Sequence, residues 1–318
     1  MNKLDDTAHC RVTETHGEQA VLPLAALILS ALAMGASPIF VRLADVGPFA
    51  SAFWRMALAL PLLWAWLIWE RQRSPAGHGG IAAKRDWKLI GGIGFLFAGD
   101  LFFWHLSIVN TSVANATLLA TTTPIIVALG AWLFLKEYIS ARVLAGIVLG
   151  MAGAALLVGV NARFAPDRVF GDACGIITAC FFGSYFLSVS HARRRMSAAE
   201  VMFFPALVTT ALLFGVAVIM EDRLLPQSWQ GLAILAALAF VSQLGGQGLA
   251  AYALGHLPAI FSSLVLFFEA IAAALLAWYL FAEPVSAWQI GGGVLILAGI
   301  YAARPGKKLK AQTLRSSP

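Results

Sequence analysis

One ionisable side chain lies deep inside an apolar run and could do chemistry there. Glu269 falls near the middle of LVLFFEAIAAALLAWYLF (264–281), which is otherwise apolar. A charged residue at the centre of a membrane helix costs about 2.5–3.5 kcal/mol, so an acid at this depth marks an ion or substrate pathway by default. A carboxyl group there is also a candidate proton carrier. The alternative is a protonated side chain that only holds two helices together.

Arg55 and Asp100 are two further charged residues within apolar runs. At 1.5 Å per residue, Arg55 lies about 8 Å and Asp100 about 10 Å from the outer ends of their predicted helices, which are on the same side of the membrane. This similar depth allows an ion pair, which would offset the desolvation of both charges. Alternatively, the planar guanidinium of Arg55 binds a carboxylate of the substrate. The sequence leaves both interpretations open.

Uncharged polar residues recur in the apolar runs at spacings that place them on common helix faces. Thr123 is followed by Pro124, which frees a backbone carbonyl where it interrupts a helix. Such side chains also serve as packing contacts between helices, but together they predict a polar cavity with few charges. The other candidates on these faces or beside them are Thr121, Asn115, Ser184, Tyr185, Gln243, Gln247 and Trp104.

His105, next to Trp104, is predicted to be a hydrogen-bonding residue at the membrane interface. It is five residues from Asp100, so the two side chains point to different faces of one helix and form no acid–base pair.

The composition places these residues in a membrane protein. Of the 318 residues, 60% are hydrophobic and only 12% are charged, and the mean hydropathy is +0.80. Soluble domains contain about 25% charged residues. No phosphate-binding loop, zinc-protease motif or nucleophile elbow is present, and we expect no cofactor and no metal. The net charge of +6 does not predict nucleic-acid binding, because the basic residues are concentrated in the loops and tails on one side of the predicted membrane spans.

About 20 mostly apolar residues are needed to cross a membrane. The fold class predicted is therefore an all-α integral membrane protein with ten transmembrane helices, flanked by a polar tail (1–20) and a basic tail (304–318). The ten predicted spans are 21–43, 50–69, 88–107, 113–134, 141–160, 171–190, 199–220, 229–250, 258–281 and 286–303.

Most of the 22 Lys and Arg residues fall in alternate loops and in the two tails. Cytoplasmic loops carry the excess of positive charge, so both termini are predicted to be cytoplasmic. The residues predicted on the opposite side are Arg163, Arg168 and Arg223.

An internal repeat relates the two halves. WLFLKEYISARVLAGIVLGMAG (132–153) aligns without gaps on WYLFAEPVSAWQIGGGVLILAG (278–299), with nine of 22 positions identical at an offset of 146. Five predicted helices separate the copies, so the second copy is inverted, as in many secondary transporters. The same offset places Thr123 opposite Glu269. Glu137 and Glu283 are predicted to end helices just before the N-capping residues Ser140 and Ser286.

The chain resembles the drug/metabolite transporter superfamily, specifically its EamA-type members. The resemblance rests on the block SVANATLLATTTPIIVALGAWLFLKEYISARVLAGIVLGMAGAALL (112–157), on GASPIFVRLADVGPFASAFWRMALALPLL (35–63), and on the 5+5 inverted repeat, with repeats at 21–160 and 171–303. It implies a multi-pass carrier of a bacterial inner membrane, commonly an exporter of amino acids or related metabolites. Because the family has no universal substrate motif, the resemblance does not name the substrate.

The leading hypothesis is a secondary active transporter that moves a small polar or zwitterionic metabolite by alternating access, with protons as a second partner. A drug, a purine or a sugar derivative is the alternative substrate, and a membrane-embedded enzyme or a channel is the alternative class. The remaining expected partners are membrane lipids, and we expect a monomer or a homodimer.

Overall fold

The computed structural model describes residues 21–73, 86–111, 113–158, 168–281 and 286–304, and all regular elements in these ranges are helical. Nine helices in this part of the chain are long and apolar enough to cross a membrane, and a shorter apolar helix follows them. The prediction of an all-α membrane fold is therefore confirmed. The count of ten spans and the inverted repeat stay predictions. Glu283, tail 1–20 and all of tail 304–318 except Arg304 lie outside the described residues.

Several predicted spans are divided into two helices, so the elements outnumber the spans. They are α1 (Val21–Leu43), α2 (Pro48–Arg73), α3 (Trp87–Asn110), α4 (Val113–Ala120), α5 (Thr123–Gly130), α6 (Ala141–Val158), α7 (Val169–Ala192), α8 (Ala198–Met220), α9 (Trp229–Ala237), α10 (Gly248–Leu254), α11 (Ala259–Val265), α12 (Phe268–Phe281) and α13 (Ala287–Ala302).

The fourth predicted span is interrupted at its centre rather than continuous. A turn at 121–122 separates α4 from α5, and Pro124 lies in the first turn of α5, where its missing N–H costs nothing. The hydroxyls of three consecutive threonines donate to carbonyl oxygens at the end of α4, over 2.5 to 2.8 Å. Carbonyls left over at the interruption are thereby satisfied without water, which the lipid interior cannot supply.

The ninth predicted span is also divided, which the sequence did not predict. The turn between α11 and α12 lies at 266–267, directly before Phe268 and Glu269. The eighth span contains a π-helical segment, Leu238–Gln247, and α1 is interrupted by a turn at Ala36, before Ser37 and Pro38. Short π-helical segments often occur at functional sites.

The antiparallel helices α6 and α13 pack through glycines that contact each other reciprocally. A Cβ on Gly153 would lie 2.5 Å from the carbonyl oxygen of Gly292, and a Cβ on Gly292 would lie 2.5 Å from that of Gly153. Gly146 and Gly299 are related in the same way, at 2.8 Å. Only glycine permits this close approach of two backbones. Such contacts are those that an approximate two-fold axis between the halves would generate.

Gly292→Ala is expected to destabilise the protein, whereas Gly293→Ala is not. A Cβ at position 293 would meet no atom within 4 Å, while one at 292 would push α13 away from α6. Overpacking of this kind costs about 1–3 kcal/mol. Thermal unfolding in detergent should show a lower midpoint for Gly292→Ala only, and equal midpoints for the two variants would contradict the packing described.

The antiparallel helices α2 and α8 are joined at both ends by carboxylates that cap the partner helix. Glu70 accepts hydrogen bonds from the Ser197 hydroxyl (2.7 Å) and the Ala199 amide (3.0 Å), at the start of α8. At the other end, Glu221 accepts a hydrogen bond from the Phe49 amide at 3.0 Å, at the start of α2. A carboxylate at a helix N-terminus satisfies free amides and complements the helix dipole.

Candidate functional site

A cavity of about 700 Å³ lies between the two halves of the chain. Its lining reaches the helix ends on one side, at Arg42, Ile108, Val158 and Gln289. We call this side the cavity face. The opposite side, where α2 ends and α3 begins, is the basic face, and the lining does not reach the helix ends there. The described cations of the basic face are Arg71, Arg73, Lys88, Lys136, Arg142, Arg193, Arg194, Arg195 and Arg304.

The cavity contains most of the residues that the sequence predicted. Arg55, Asp100 and Glu269 line it from three different helices, and the divided fourth and ninth spans contribute polar groups beside their interruptions. The predicted site residues that line it are Arg55, Asp100, Trp104, Thr121, Thr123, Pro124, Gln247 and Glu269.

Arg55 is held in position by neutral side chains rather than by an acid. It is only 6% exposed, and its Nε donates to Oε1 of Gln243 at 3.0 Å. Its Nη1 donates to the Ser37 hydroxyl at 3.2 Å, and the guanidinium lies 5.9 Å from the centre of the Phe97 ring. Ser37 is within reach because α1 is interrupted beside it.

The ion pair between Arg55 and Asp100 that the sequence allowed is not formed. Among the described residues, the carboxylate of neither Asp100 nor Glu269 has a basic nitrogen within 4.0 Å or a hydrogen-bond partner. Both acids nevertheless lie close enough to Arg55 to interact with it electrostatically. The three charged side chains therefore line one cavity without forming an ion pair.

Tyr185 contacts two residues that line the cavity, Gln247 and Phe97. The Tyr185 hydroxyl donates to Oε1 of Gln247 at 3.3 Å, and its ring stacks on Phe97 with centres 4.6 Å apart. The Oε1 of Gln243 is used by Arg55, while its Nε2 is buried without a partner. Tyr185 and Gln243 thus touch the residues of the cavity without lining it themselves.

Three predictions are placed elsewhere by the structure. Asn115 donates to Asp172 at 3.1 Å near the cavity face, and the half-buried Ser184 does not line the cavity. His105 is not interfacial, because it is only 1% exposed and its Nδ1 bonds to the Leu101 carbonyl at 2.6 Å. The predicted span ended at 107, whereas α3 continues to Asn110. His105 therefore lies more than a turn from the helix end, deeper than its position in the sequence indicated.

The sequence analysis missed several residues that line the cavity. The signal for Ser37 was its Ser-Pro step inside an apolar helix, the same kind of interruption as Thr123-Pro124. For the others no comparable signal exists, since isolated hydroxyl and amide side chains are common in helix contacts. The missed residues are Ser37, Pro38, Phe97, Thr178, Ser263 and Gln289.

Comparison with known proteins agrees with this architecture. The profile of the EamA-like transporter family matches residues 22–159 and again residues 169–304. The chain belongs to the EamA-like transporter family. It is therefore a multi-pass membrane protein of a transporter family, and the resemblance noted in its sequence is confirmed.

Relatives of this EamA-like transporter are also named for transport. An uncharacterized transporter of Archaeoglobus fulgidus is 27% identical over 286 residues, which cover 86% of this chain and 94% of the relative. The pseudopaline exporter CntI of Pseudomonas aeruginosa is 26% identical over 215 residues, covering 68% and 74%. One solved crystal structure superposes with a TM-score of 0.74 at 20% identity, covering 94% of this chain and 99% of that one, and it supports the fold alone.

Proposed function

We propose that this EamA-like transporter is a secondary carrier that exports a small zwitterionic metabolite, an amino acid or a related compound, by alternating access. One observation carries the substrate class: the same cavity is lined by a guanidinium and two carboxylates, with no ion pair between them. A substrate carboxylate fits the planar fork of Arg55, and a substrate ammonium fits Asp100 or Glu269. A ligand with only one charge would leave part of this set unpaired.

The charges of the site also support coupling to protons. Arg55 carries one positive charge, and Asp100 and Glu269 carry two negative charges when both are ionised. A net-neutral zwitterion would leave one negative charge in excess when alternating access closes the site off from water, which is costly. A proton on one of the acids removes this excess. We assign that proton to Glu269, which lines the cavity beside the interruption of the ninth span.

Carrier activity fits the shape of the cavity better than channel activity. In the part of the chain that the structure describes, the cavity reaches helix ends at one face only, whereas a channel needs a continuous pore. The basic face is the cytoplasmic one by the charge rule, which gives cytoplasmic termini and an outward-open cavity. Export is supported by the name of the Pseudomonas relative. We further propose a bacterial inner membrane as the location and no enzymatic activity.

Counterflow in proteoliposomes tests the substrate class. Purified protein is reconstituted in vesicles preloaded with one unlabelled compound, and uptake of the same compound in labelled form is followed. We expect saturable exchange with zwitterionic amino compounds and none with neutral sugars or purines. Exchange of sugars, purines or drugs alone would overturn the substrate class, and no exchange by folded protein would overturn the carrier. Protein-free vesicles are the control.

A further inference from the structure

The loop after α5 reaches across the basic face and caps a helix of the other half. Both carboxylate oxygens of Glu137 are used: one accepts from the Ala259 amide at 3.2 Å and the other from the Ile260 amide at 3.4 Å. A π-helical segment, Ala131–Leu135, continues from α5, and Lys136, in the left-handed conformation (φ 56°), ends it and turns the chain there. Arg194 adds an electrostatic interaction with the carboxylate.

Helix α11, which Glu137 caps, has no side-chain cap of its own. Its N-cap residue is Pro258, whose side chain offers no hydrogen-bonding group. The free amides at the start of α11 therefore depend on a residue from the first half of the chain. Burial raises the pKa of Glu137, while the two amides and Arg194 lower it.

The contact made by Glu137 differs from the other carboxylate caps in its position relative to the cavity. Glu70 and Glu221 join α2 to α8 at both faces, so this helix pair is fastened at each end. Glu137 joins the end of the fourth span to the start of the ninth, and both of these spans are interrupted beside the cavity.

We infer that Glu137 is a latch that holds the basic face closed while the cavity is open on the other side. Transport requires the latch to release, so that the interrupted spans separate at the basic face. The contacts of Glu70 and Glu221 persist through the cycle, because the helices they join need not separate. This inference rests on the alternating-access part of the proposed function, and it is independent of the substrate.

Thiol labelling of two reporter positions tests the latch without a known substrate. All three native cysteines (Cys10, Cys174 and Cys180) are first replaced by serine. Ser262→Cys reports on the basic face, since Ser262 is fully buried one turn from the start of α11 and its hydroxyl has no partner. Ala274→Cys reports on the cavity face, since Ala274 lines the cavity beyond Glu269.

Glu137→Gln is combined with each reporter, and labelling by a charged, membrane-impermeant methanethiosulfonate is followed in nanodiscs. The amide side chain keeps the shape but loses the charge that strengthens both hydrogen bonds. We expect labelling at position 262 to become about tenfold faster and labelling at 274 to become slower, because the population shifts toward the state open at the basic face. Glu137→Asp, which keeps the charge but is one methylene too short, is expected to act in the same direction.

Glu70→Gln is the matched control, since Glu70 also caps a helix of the other half at the basic face. This variant is expected to lower stability, but not to make labelling faster at position 262 and slower at position 274. Faster labelling at both positions in Glu137→Gln would indicate loosening of the fold and would overturn the latch. Unchanged labelling would overturn it as well. If counterflow of a substrate is intact in either case, the latch fails while the proposed function stands.

Discussion

Glu269→Gln is expected to abolish pH-driven accumulation of the substrate while exchange of the substrate continues. The amide has the size of the carboxyl group and can still form hydrogen bonds, but it cannot take up or release a proton. Because the side chain lines the cavity and has no ion-pair partner among the described residues, its loss of charge should not disrupt the helices around it.

The size of the effect follows from the pH gradient. One proton moving down a gradient of one pH unit supplies about 1.4 kcal/mol, which supports about tenfold accumulation of a substrate exchanged one for one. Wild-type vesicles should approach this ratio once the substrate is known, whereas Glu269→Gln vesicles should only equilibrate. Glu200→Gln, which changes a partly exposed acid outside the cavity, should accumulate substrate as the wild type does. Equal accumulation by Glu269→Gln and wild type would make the acid a structural contact.

Arg55→Ala is expected to abolish saturable exchange, and Arg55→Lys to weaken it strongly. Truncating one partner of a buried charged contact costs about 2–5 kcal/mol, which raises the half-saturating concentration by at least about thirtyfold. A lysine keeps the charge, but its ammonium cannot reproduce the directed bonds to Gln243 and Ser37 while presenting a planar fork to a carboxylate.

Two controls separate substrate binding from folding in the Arg55 experiment. Arg71→Ala removes a half-exposed guanidinium that lies 3.5 Å from Glu200, and it should leave exchange unchanged. Thermal unfolding of each variant shows whether it is folded, which matters because Arg55→Ala removes the cation that interacts with Asp100 and Glu269. Normal exchange by a folded Arg55→Ala variant would contradict the assignment of Arg55 to the substrate carboxylate.

The sequence predicted the charged residues of the cavity because charges inside a membrane are rare enough to be informative singly. It did not predict their partners. Depth along a helix is one coordinate, and whether two side chains meet also depends on the rotation of each helix about its axis. This is why the similar depth of Arg55 and Asp100 allowed an ion pair that is not formed. The contact of Arg55 with Gln243 spans 188 residues and arises only from helix packing.

Helix interruptions were predictable only where proline marks them. Pro124 signalled the turn before α5, but no proline or glycine stands at 266–267 in the ninth span. The repeat offset of 146 places this turn opposite residues 120–121, one residue before the turn at 121–122, and nothing else in the sequence relates the two turns. The π-helical segment escaped prediction because Gln243 and Gln247 are four residues apart, which also fits an ordinary helix face. Glu137 was predicted as a helix-end residue, whereas the amides it binds lie 122 and 123 residues away. The caps predicted at Ser140 and Ser286 are confirmed.

The glycine contacts between α6 and α13 bear on how the two halves of the gene can diverge. Each glycine fits against a backbone carbonyl of the opposite half, which no side-chain change can move out of the way. A mutation that enlarges one of them therefore cannot be rescued by shrinking a neighbouring side chain. Sequence drift in either half is limited at these positions by the main chain of the other, so the two halves are bound to a shared evolutionary constraint where they meet.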